Sequence, residues 1–173
     1  MQTAAAQFTQ RDLVSDGTIA AEHVDPNLVN AWGIVPNPTG VRWVSDAATG
    51  RSTLYDGEGM ANSLVVTVPS AADLLGGAPT GIVFNGSSQF VVSFGFTSGA
   101  ARFIVAGEAG TISGWAPAVP APPPSTMAIL MVDNSQSHAV YKGLALATSD
   151  PAGPARLYAT DFPNRSVHVL TSR

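Results

Sequence analysis

One polar loop carries the side-chain types that hydrolases use for nucleophilic catalysis. Residues 133–138 contain Asp133, Ser135, Ser137 and His138. Catalytic triads are usually assembled from segments that are distant in sequence, so local crowding of these residue types does not by itself indicate one. The chain also has no Gly-x-Ser-x-Gly motif, which would place a serine nucleophile on a strained turn. The sequence therefore favours a protein without catalysis and leaves enzymatic activity open.

Few side chains are suited to hold a metal ion. Asn85, Asp133 and Asn134 are weak candidates for Ca²⁺ or another divalent cation, but Ca²⁺ takes about six to eight oxygen ligands and no segment is dense in Asp and Asn. The absence of cysteine excludes disulfides, thiolate zinc sites and a cysteine nucleophile. Asp46 and Asp161 are expected in turns, bonded to their own backbone. We therefore predict no resident metal or cofactor.

The composition of the chain limits the classes of partner and the cellular locations that we expect. The net charge is −4 and the basic residues are dispersed, which argues against nucleic acid because phosphate contacts need clustered Lys and Arg. No apolar run is long enough to span a membrane. Residues 1–7 lack the pattern of a signal peptide, although a mature exported protein would look the same once its leader was removed. The low lysine content and the many small residues favour an extracellular or periplasmic location.

Short runs rich in Val, Ile, Phe, Tyr and Thr alternate with clusters of Gly, Pro, Asn and Asp, which is typical of strands and turns. Three segments share one pattern, in which a glycine opens an apolar strand and two further strands follow. They begin at Gly33, Gly81 and Gly143. The first two segments add a fourth strand, and residues 90–101 are expected as an insertion in the second. Repeats of about 40–50 residues with four strands predict an all-β fold of the β-propeller type, with about three four-stranded blades.

We expect one domain over residues 1–173, with blades at 30–69, 78–132 and 140–173 and an N-terminal outer strand near 10–15. The third blade lacks a fourth strand. Rings have about four to eight blades, so three blades make half of a six-bladed ring and expose apolar faces. Either two copies close the ring as a homodimer, with the N-terminal strand completing the third blade in its own chain or in the partner, or the chain is a piece of a longer protein.

The residues that precede the three glycines are expected at the mouth of the central channel, where inner strands begin. The candidate ligand-binding residues at this mouth are Asn30, Trp32, Thr80, His138, Tyr141 and Lys142. In a purely structural interpretation, Trp32 packs between blades and Lys142 pairs with a nearby acid. His168 lies on an alternating outer strand and is expected to face solvent.

The order of several motifs resembles an uncharacterised family of exported bacterial β-propellers, some with a PEP-CTERM-type sorting tail. The matching segments are residues 25–34, 43–46, 52–57, 79–86, 110–115, 132–135 and 141–145. The resemblance covers nearly the whole chain and the N-terminal half of longer family members. It implies a propeller similar to the NHL-repeat and gluconolactonase-like group, and no established activity. Gluconolactonase-like relatives bind a divalent metal on the axis through Glu, Asn and Asp, where this chain has Trp, Thr and Lys.

Two functions therefore remain open. The first is an exported scaffold that binds a protein, a glycan or a small ligand at the channel mouth without catalysis. The second is a metal-dependent lactonase or hydrolase with its site on the propeller axis, which rests on fold-level analogy. The repeat architecture and the low content of charged residues favour the first.

Overall fold

The structure, a computed structural model, describes residues 8–148 and 153–172. Within these residues the chain forms strands and one short 3₁₀ helix, η1 (Ser135–Ser137), and contains no α-helix. The prediction of an all-β fold is therefore confirmed. No helix in the described part is long and apolar enough to cross a membrane. The prediction about a leader concerns residues 1–7, which lie outside the described residues.

A short parallel pair, β1 (Val14–Ser15) and β2 (His23–Val24), precedes three antiparallel sheets. The first sheet contains, in order, β3 (Ala31–Pro36), β4 (Arg42–Asp46), β5 (Arg51–Tyr55) and β6 (Val66–Thr67). In the second sheet the order is β7 (Pro79–Phe84), β10 (Phe103–Gly107), β11 (Thr111–Trp115) and β12 (Ile129–Asp133), and a hairpin of β8 (Val91–Phe94) and β9 (Thr97–Ala100) is inserted after β7. The third sheet contains β13 (Tyr141–Thr148), β14 (Ala155–Asp161) and β15 (Ser166–Thr171).

Alternation along β10 places this strand between two apolar cores. Phe103 and Val105 point to the first sheet, where the ring of Trp43 stacks on Phe103 with centroids 3.8 Å apart. Ile104 and Ala106 point to the other side, where they pack with buried residues of the third sheet. The second sheet is therefore covered on both faces. Among the described residues, the outer face of the first sheet is covered only in part, by the N-terminal segment, and one face of the third sheet is covered by no other sheet.

The three sheets share one irregularity in their innermost strand. In each sheet, two residues of the inner strand oppose a single residue of the next strand, which is a β-bulge. The bulged pairs are Trp32-Gly33, Thr80-Gly81 and Lys142-Gly143. The positions that the sequence pattern aligned are therefore structurally equivalent.

The inner strands lie side by side, with β7 in contact with both β3 and β13. The glycines permit this close approach. A Cβ atom on Gly33 would lie 2.4 Å from the carbonyl oxygen of Thr80, and one on Gly81 would lie 2.6 Å from the backbone nitrogen of Leu144. Any side chain at either position would collide with the neighbouring backbone.

The N-terminal strand does not complete the third sheet within this chain. It is shorter than predicted, and β1 pairs with β2 rather than with β15. The N-terminal segment packs near the outer part of the first sheet instead, where Leu13 and Val14 approach Gly59. The version of the prediction in which the strand pairs in its own chain is therefore wrong, and the version with a partner chain stays a prediction.

Candidate ligand-binding site

Trp32 and Lys142 come together from the bulges of the first and third sheets. The Nζ atom of Lys142 lies 4.6 Å from the centroid of the Trp32 ring, within the distance at which an aromatic face attracts a cation. The same ammonium group forms an ion pair with the carboxylate of Glu108, which directly follows β10. Each of the three repeats thus contributes one side chain to this Trp32–Lys142–Glu108 cluster.

The cluster remains accessible to a ligand. Trp32 is 49% exposed, and the side chains of Lys142 and Glu108 are 31% and 37% exposed. An ion pair of this exposure contributes only about 0–1 kcal/mol to folding. Glu108 was not among the sequence candidates. An acid next to a strand end was the available signal, but its pairing with Lys142 depends on how two sheets pack.

Thr80 and Tyr141 lie beneath the surface. The Thr80 hydroxyl is buried and hydrogen-bonds to the carbonyl oxygens of Tyr141, at 2.8 Å, and Ala106, at 3.2 Å. Tyr141 is fully buried, and its hydroxyl accepts a hydrogen bond from Asn134 at 2.6 Å. These two candidates join the second and third sheets and do not present polar groups to solvent.

His168 is 34% exposed, so it faces solvent in part, and it also contacts the buried side chains of Tyr141 and Asp161. Its Nδ1 atom lies 2.7 Å from the Tyr141 hydroxyl, and its Nε2 atom lies 3.7 Å from the carboxylate of Asp161. Burial raises the pKa of Tyr141, and the charge of Asp161 adds to the effect. The tyrosine is therefore held in its protonated form, which suits a structural hydrogen-bonding role and not a nucleophile.

Asn30 and His138 occupy exposed turns. Both have φ of 55°, in the left-handed region, and the carbonyl oxygen of Asn30 accepts a hydrogen bond from Ala47. His138 ends η1, where its backbone N–H donates to Ser135. The neighbouring groups are bonded locally: Asp133 accepts from the backbone of Ser135 and Ser137 donates to the carbonyl oxygen of Asn134. The structure therefore offers no hydrogen-bonded catalytic trio in this described loop.

Asp46 is buried and only partly satisfied. One carboxylate oxygen accepts a hydrogen bond from the Thr53 hydroxyl at 2.8 Å, and the other has no partner among the described residues. Burial raises the pKa of Asp46 to about 7, and the nearby charge of Asp25 adds to this effect. Asp25 itself accepts a hydrogen bond from Tyr55. The expectation that the Asp46 side chain bonds to its own turn is therefore wrong.

The three weak metal candidates do not lie together, and their side chains are hydrogen-bonded to protein groups. Asn85 is fully buried and bonds to Gln89, Ala101 and Ser87. It follows β7 at one end of the second sheet, whereas Asp133 and Asn134 lie at the opposite end. In residues 8–148 and 153–172, no three His, Asp or Glu side chains are grouped so that they could hold a metal ion.

Two grooves lie beside the uncovered parts of the sheets. A groove of about 520 Å³ runs along the open face of the first sheet, between Ile34, Val44 and the N-terminal residues Leu13 and Ile19. A second groove, of about 460 Å³, lies between β12 and β15. Apolar side chains contribute to the walls of both grooves.

Comparison with known proteins identifies distant relatives only. No family model matches the chain. It is similar to two uncharacterised proteins of Acanthamoeba polyphaga mimivirus, with 31% identity to each. One alignment covers 96% of this chain and 42% of the relative, and the other covers 92% and 38%. The chain thus spans about two fifths of the length of these relatives.

Proposed function

We propose that the three sheets are consecutive blades of a β-propeller and that the chain is a scaffold that binds a ligand, without catalysis, where the inner strands begin. The blade arrangement is supported by the shared bulges and by the position of β7 between β3 and β13. The resemblance to exported bacterial propellers supports the same arrangement and an extracellular or periplasmic location. Such an arc leaves its end faces open, so the proposal includes self-association that closes the ring.

The convergence of Trp32, Lys142 and Glu108 is the observation that carries the binding site. The half-exposed indole offers an apolar platform with a polar edge. The ammonium group of Lys142, which lies over one face of the ring, donates hydrogen bonds, and the carboxylate of Glu108 accepts them. A few polar groups around an apolar surface are typical of small-ligand sites. This combination fits a small hydroxylated ligand with an apolar face, such as a sugar ring. The alternative of a metal-dependent lactonase stays a prediction.

Saturation-transfer NMR with a panel of neutral mono- and disaccharides tests the site. We expect the wild-type protein to bind at least one sugar. Trp32→Ala removes the platform, and Lys142→Met removes the charge while it keeps most of the side-chain stem. Each change is expected to weaken binding by about tenfold or more, as at other central contact residues.

Phe96→Ala is the matched control. Phe96 is a fully exposed aromatic residue at the turn between β8 and β9, so its removal is expected to leave sugar binding unchanged. Failure of the wild-type protein to bind any sugar of the panel would overturn the proposed ligand class. Binding that survives both Trp32→Ala and Lys142→Met would overturn the site.

A further inference from the structure

We infer that the open face of the third sheet binds the open face of the first sheet of a second copy, in the register that both internal interfaces already use. The inference rests on the blade arrangement proposed above and specifies its partner. It follows from three observations. The contact between the first and second sheets repeats between the second and third. The third sheet has a glycine, and the first sheet has a receiving residue, that could form one more such contact, and neither contacts another sheet within the described part of one chain.

The repeat is visible in the backbone contacts of the glycines. Gly33 packs against the second sheet, where a Cβ would lie 3.0 Å from the backbone nitrogen of Ile82. Gly81 packs against the third sheet in the same way, 2.6 Å from the backbone nitrogen of Leu144. Ile82 and Leu144 are the residues that follow the glycine of their own inner strand. The second sheet therefore presents its glycine on one face and, on the other, receives the glycine of the first sheet beside Ile82.

The ends of the arc each carry half of this contact. A Cβ on Gly143 would meet, among the described residues, only the side chain of Thr160 in its own sheet, at 3.1 Å. Ile34 follows Gly33 and is the counterpart of Ile82, yet it is 66% exposed where Ile82 is 6% exposed. The glycine that contacts no neighbouring sheet is therefore Gly143 in the third sheet, and the exposed residue that could receive it is Ile34 in the first.

The faces around these two positions match the buried faces of the repeat. Tyr158 pairs across the third sheet with Ala145 and Val169, and its counterparts in the first and second sheets are Trp43 and Ile104. Those counterparts are 3% and 0% exposed, whereas Val169 is 53% exposed. The third sheet thus has the composition of an interface, with an aromatic residue between small or β-branched ones, on a face that no other described sheet of the chain covers.

A second copy is the occupant that supplies both missing halves at once. The third sheet of one copy would meet the first sheet of the other, and the reverse contact would form on the opposite side. Two equal contacts of this kind close a ring. Six sheets lie within the range of about four to eight blades in known propellers. The N-terminal segment lines part of the groove on the first sheet and leaves Ile34 exposed.

Analytical ultracentrifugation of the purified 173-residue chain tests the inference. The chain has a mass of 17.7 kDa, and we expect a species of twice this mass. Gly143→Ala is the decisive variant, because a Cβ there would collide with the backbone of the second copy as it would at Gly33 and Gly81. We expect at least about a tenfold loss at each of two contacts, hence about a hundredfold rise in the dissociation constant.

Three further variants separate assembly from folding. Ile34→Glu changes a side chain that is exposed in the single chain, so it should dissociate the dimer while the circular dichroism spectrum stays unchanged. Gly81→Ala places its Cβ inside the chain and should lower thermal stability instead. Gly99→Ala in β9 is the neutral control, since its Cβ would make only ordinary contacts at 3.6 and 3.7 Å, and it should remain dimeric.

A mass of one chain, a mass above two chains, or a dimer that neither Gly143→Ala nor Ile34→Glu dissociates would overturn the inference. A single-chain mass would also leave other occupants of these faces, such as further sheets of a longer chain. The proposed function fails separately. A dimer that binds no sugar contradicts the proposed ligand class and leaves the second copy supported. A monomer whose sugar binding depends on Trp32 and Lys142 contradicts the self-association and leaves the site supported.

Discussion

The first and third sheets carry an aspartate at the same position, but the pKa values of the two side chains are shifted in opposite directions. Asp46 ends β4 and pairs with the first residue of β3, and Asp161 ends β14 and pairs with the first residue of β13. Both are buried. The pKa of Asp46 is raised to about 7, whereas the pKa of Asp161 is held below its ordinary value.

The difference lies in the hydrogen-bond donors. Burial alone raises the pKa of both groups. Asp161 accepts from the backbone N–H of Val140, at 3.1 Å, and from the Asn164 amide, at 2.8 Å, and these bonds together with His168 outweigh the burial. Asp46 has one donor, the hydroxyl of Thr53, and a second acid nearby. The repeat therefore determines that this position is buried, and the neighbouring hydrogen-bond donors and charges determine the pKa of the aspartate.

The largest expected effect comes from removal of the better-bonded acid. Asp161→Ala leaves a backbone N–H and a side-chain amide without their acceptor, and we expect a loss of about 3 kcal/mol in the free energy of unfolding at neutral pH. Urea denaturation at fixed protein concentration measures it. Asp133→Ala is the control, because Asp133 is exposed and accepts one local N–H, and it should cost less than about 1 kcal/mol. Equal losses of stability in the two variants would contradict the claim that the hydrogen bonds of buried Asp161 stabilise the fold more than that of exposed Asp133.

The pH dependence of stability separates the two acids. The folded protein binds a proton at Asp46 below about pH 7, whereas an aspartate in the unfolded chain titrates near pH 3.9. Stability from Asp46 is therefore fully present below the unfolded pKa and is lost as the pH rises through 7. Asp161 behaves in the opposite way, since its contribution is present above its ordinary pKa and is lost on acidification.

Asp46→Asn isolates the first sheet in this experiment. We expect wild-type stability to fall by about 2 kcal/mol between roughly pH 5 and pH 8, and the variant to lose this slope while it keeps the acid transition. Asp56→Asn, the same change at an exposed turn of the first sheet, should keep the wild-type profile. A slope that persists in Asp46→Asn would show that another group titrates in this range.

The equivalence of the two aspartates could be predicted from the sequence, and their difference could not. Glycine positions, strand alternation and turn residues are local signals. They predict the three repeats and align the pairs, such as Trp32-Gly33 and Thr80-Gly81, at which the structure has bulges. The pattern showed residues 90–101 only as an insertion, where the structure forms the β8–β9 hairpin. The sequence predicts a wider N-terminal strand than β1, because the neighbours of this strand are set by packing and not by alternation.

The candidate site was predictable to the same limited degree. Trp32 and Lys142 follow from the aligned positions before the glycines, and the structure brings them into contact. Thr80 occupies the same position in the second sheet but is buried, because this sheet alone is covered on both sides. Glu108 and the environment of His168 depend on contacts between repeats, about which a periodic pattern carries no information.

The smallest expected effect concerns His168, which distinguishes the third sheet from the first. His168→Phe keeps the edge contact with the Tyr141 ring, whose centroid is 5.5 Å away, and removes the hydrogen bond to its hydroxyl. We expect a loss of about 1 kcal/mol. A double-mutant cycle with Tyr141→Phe should show a coupling energy of about 0.5–1 kcal/mol, because the two side chains are in direct contact. Additive losses would mean that the histidine acts only through Asp161, and the low pKa of that acid would then account for the whole contrast between the two sheets.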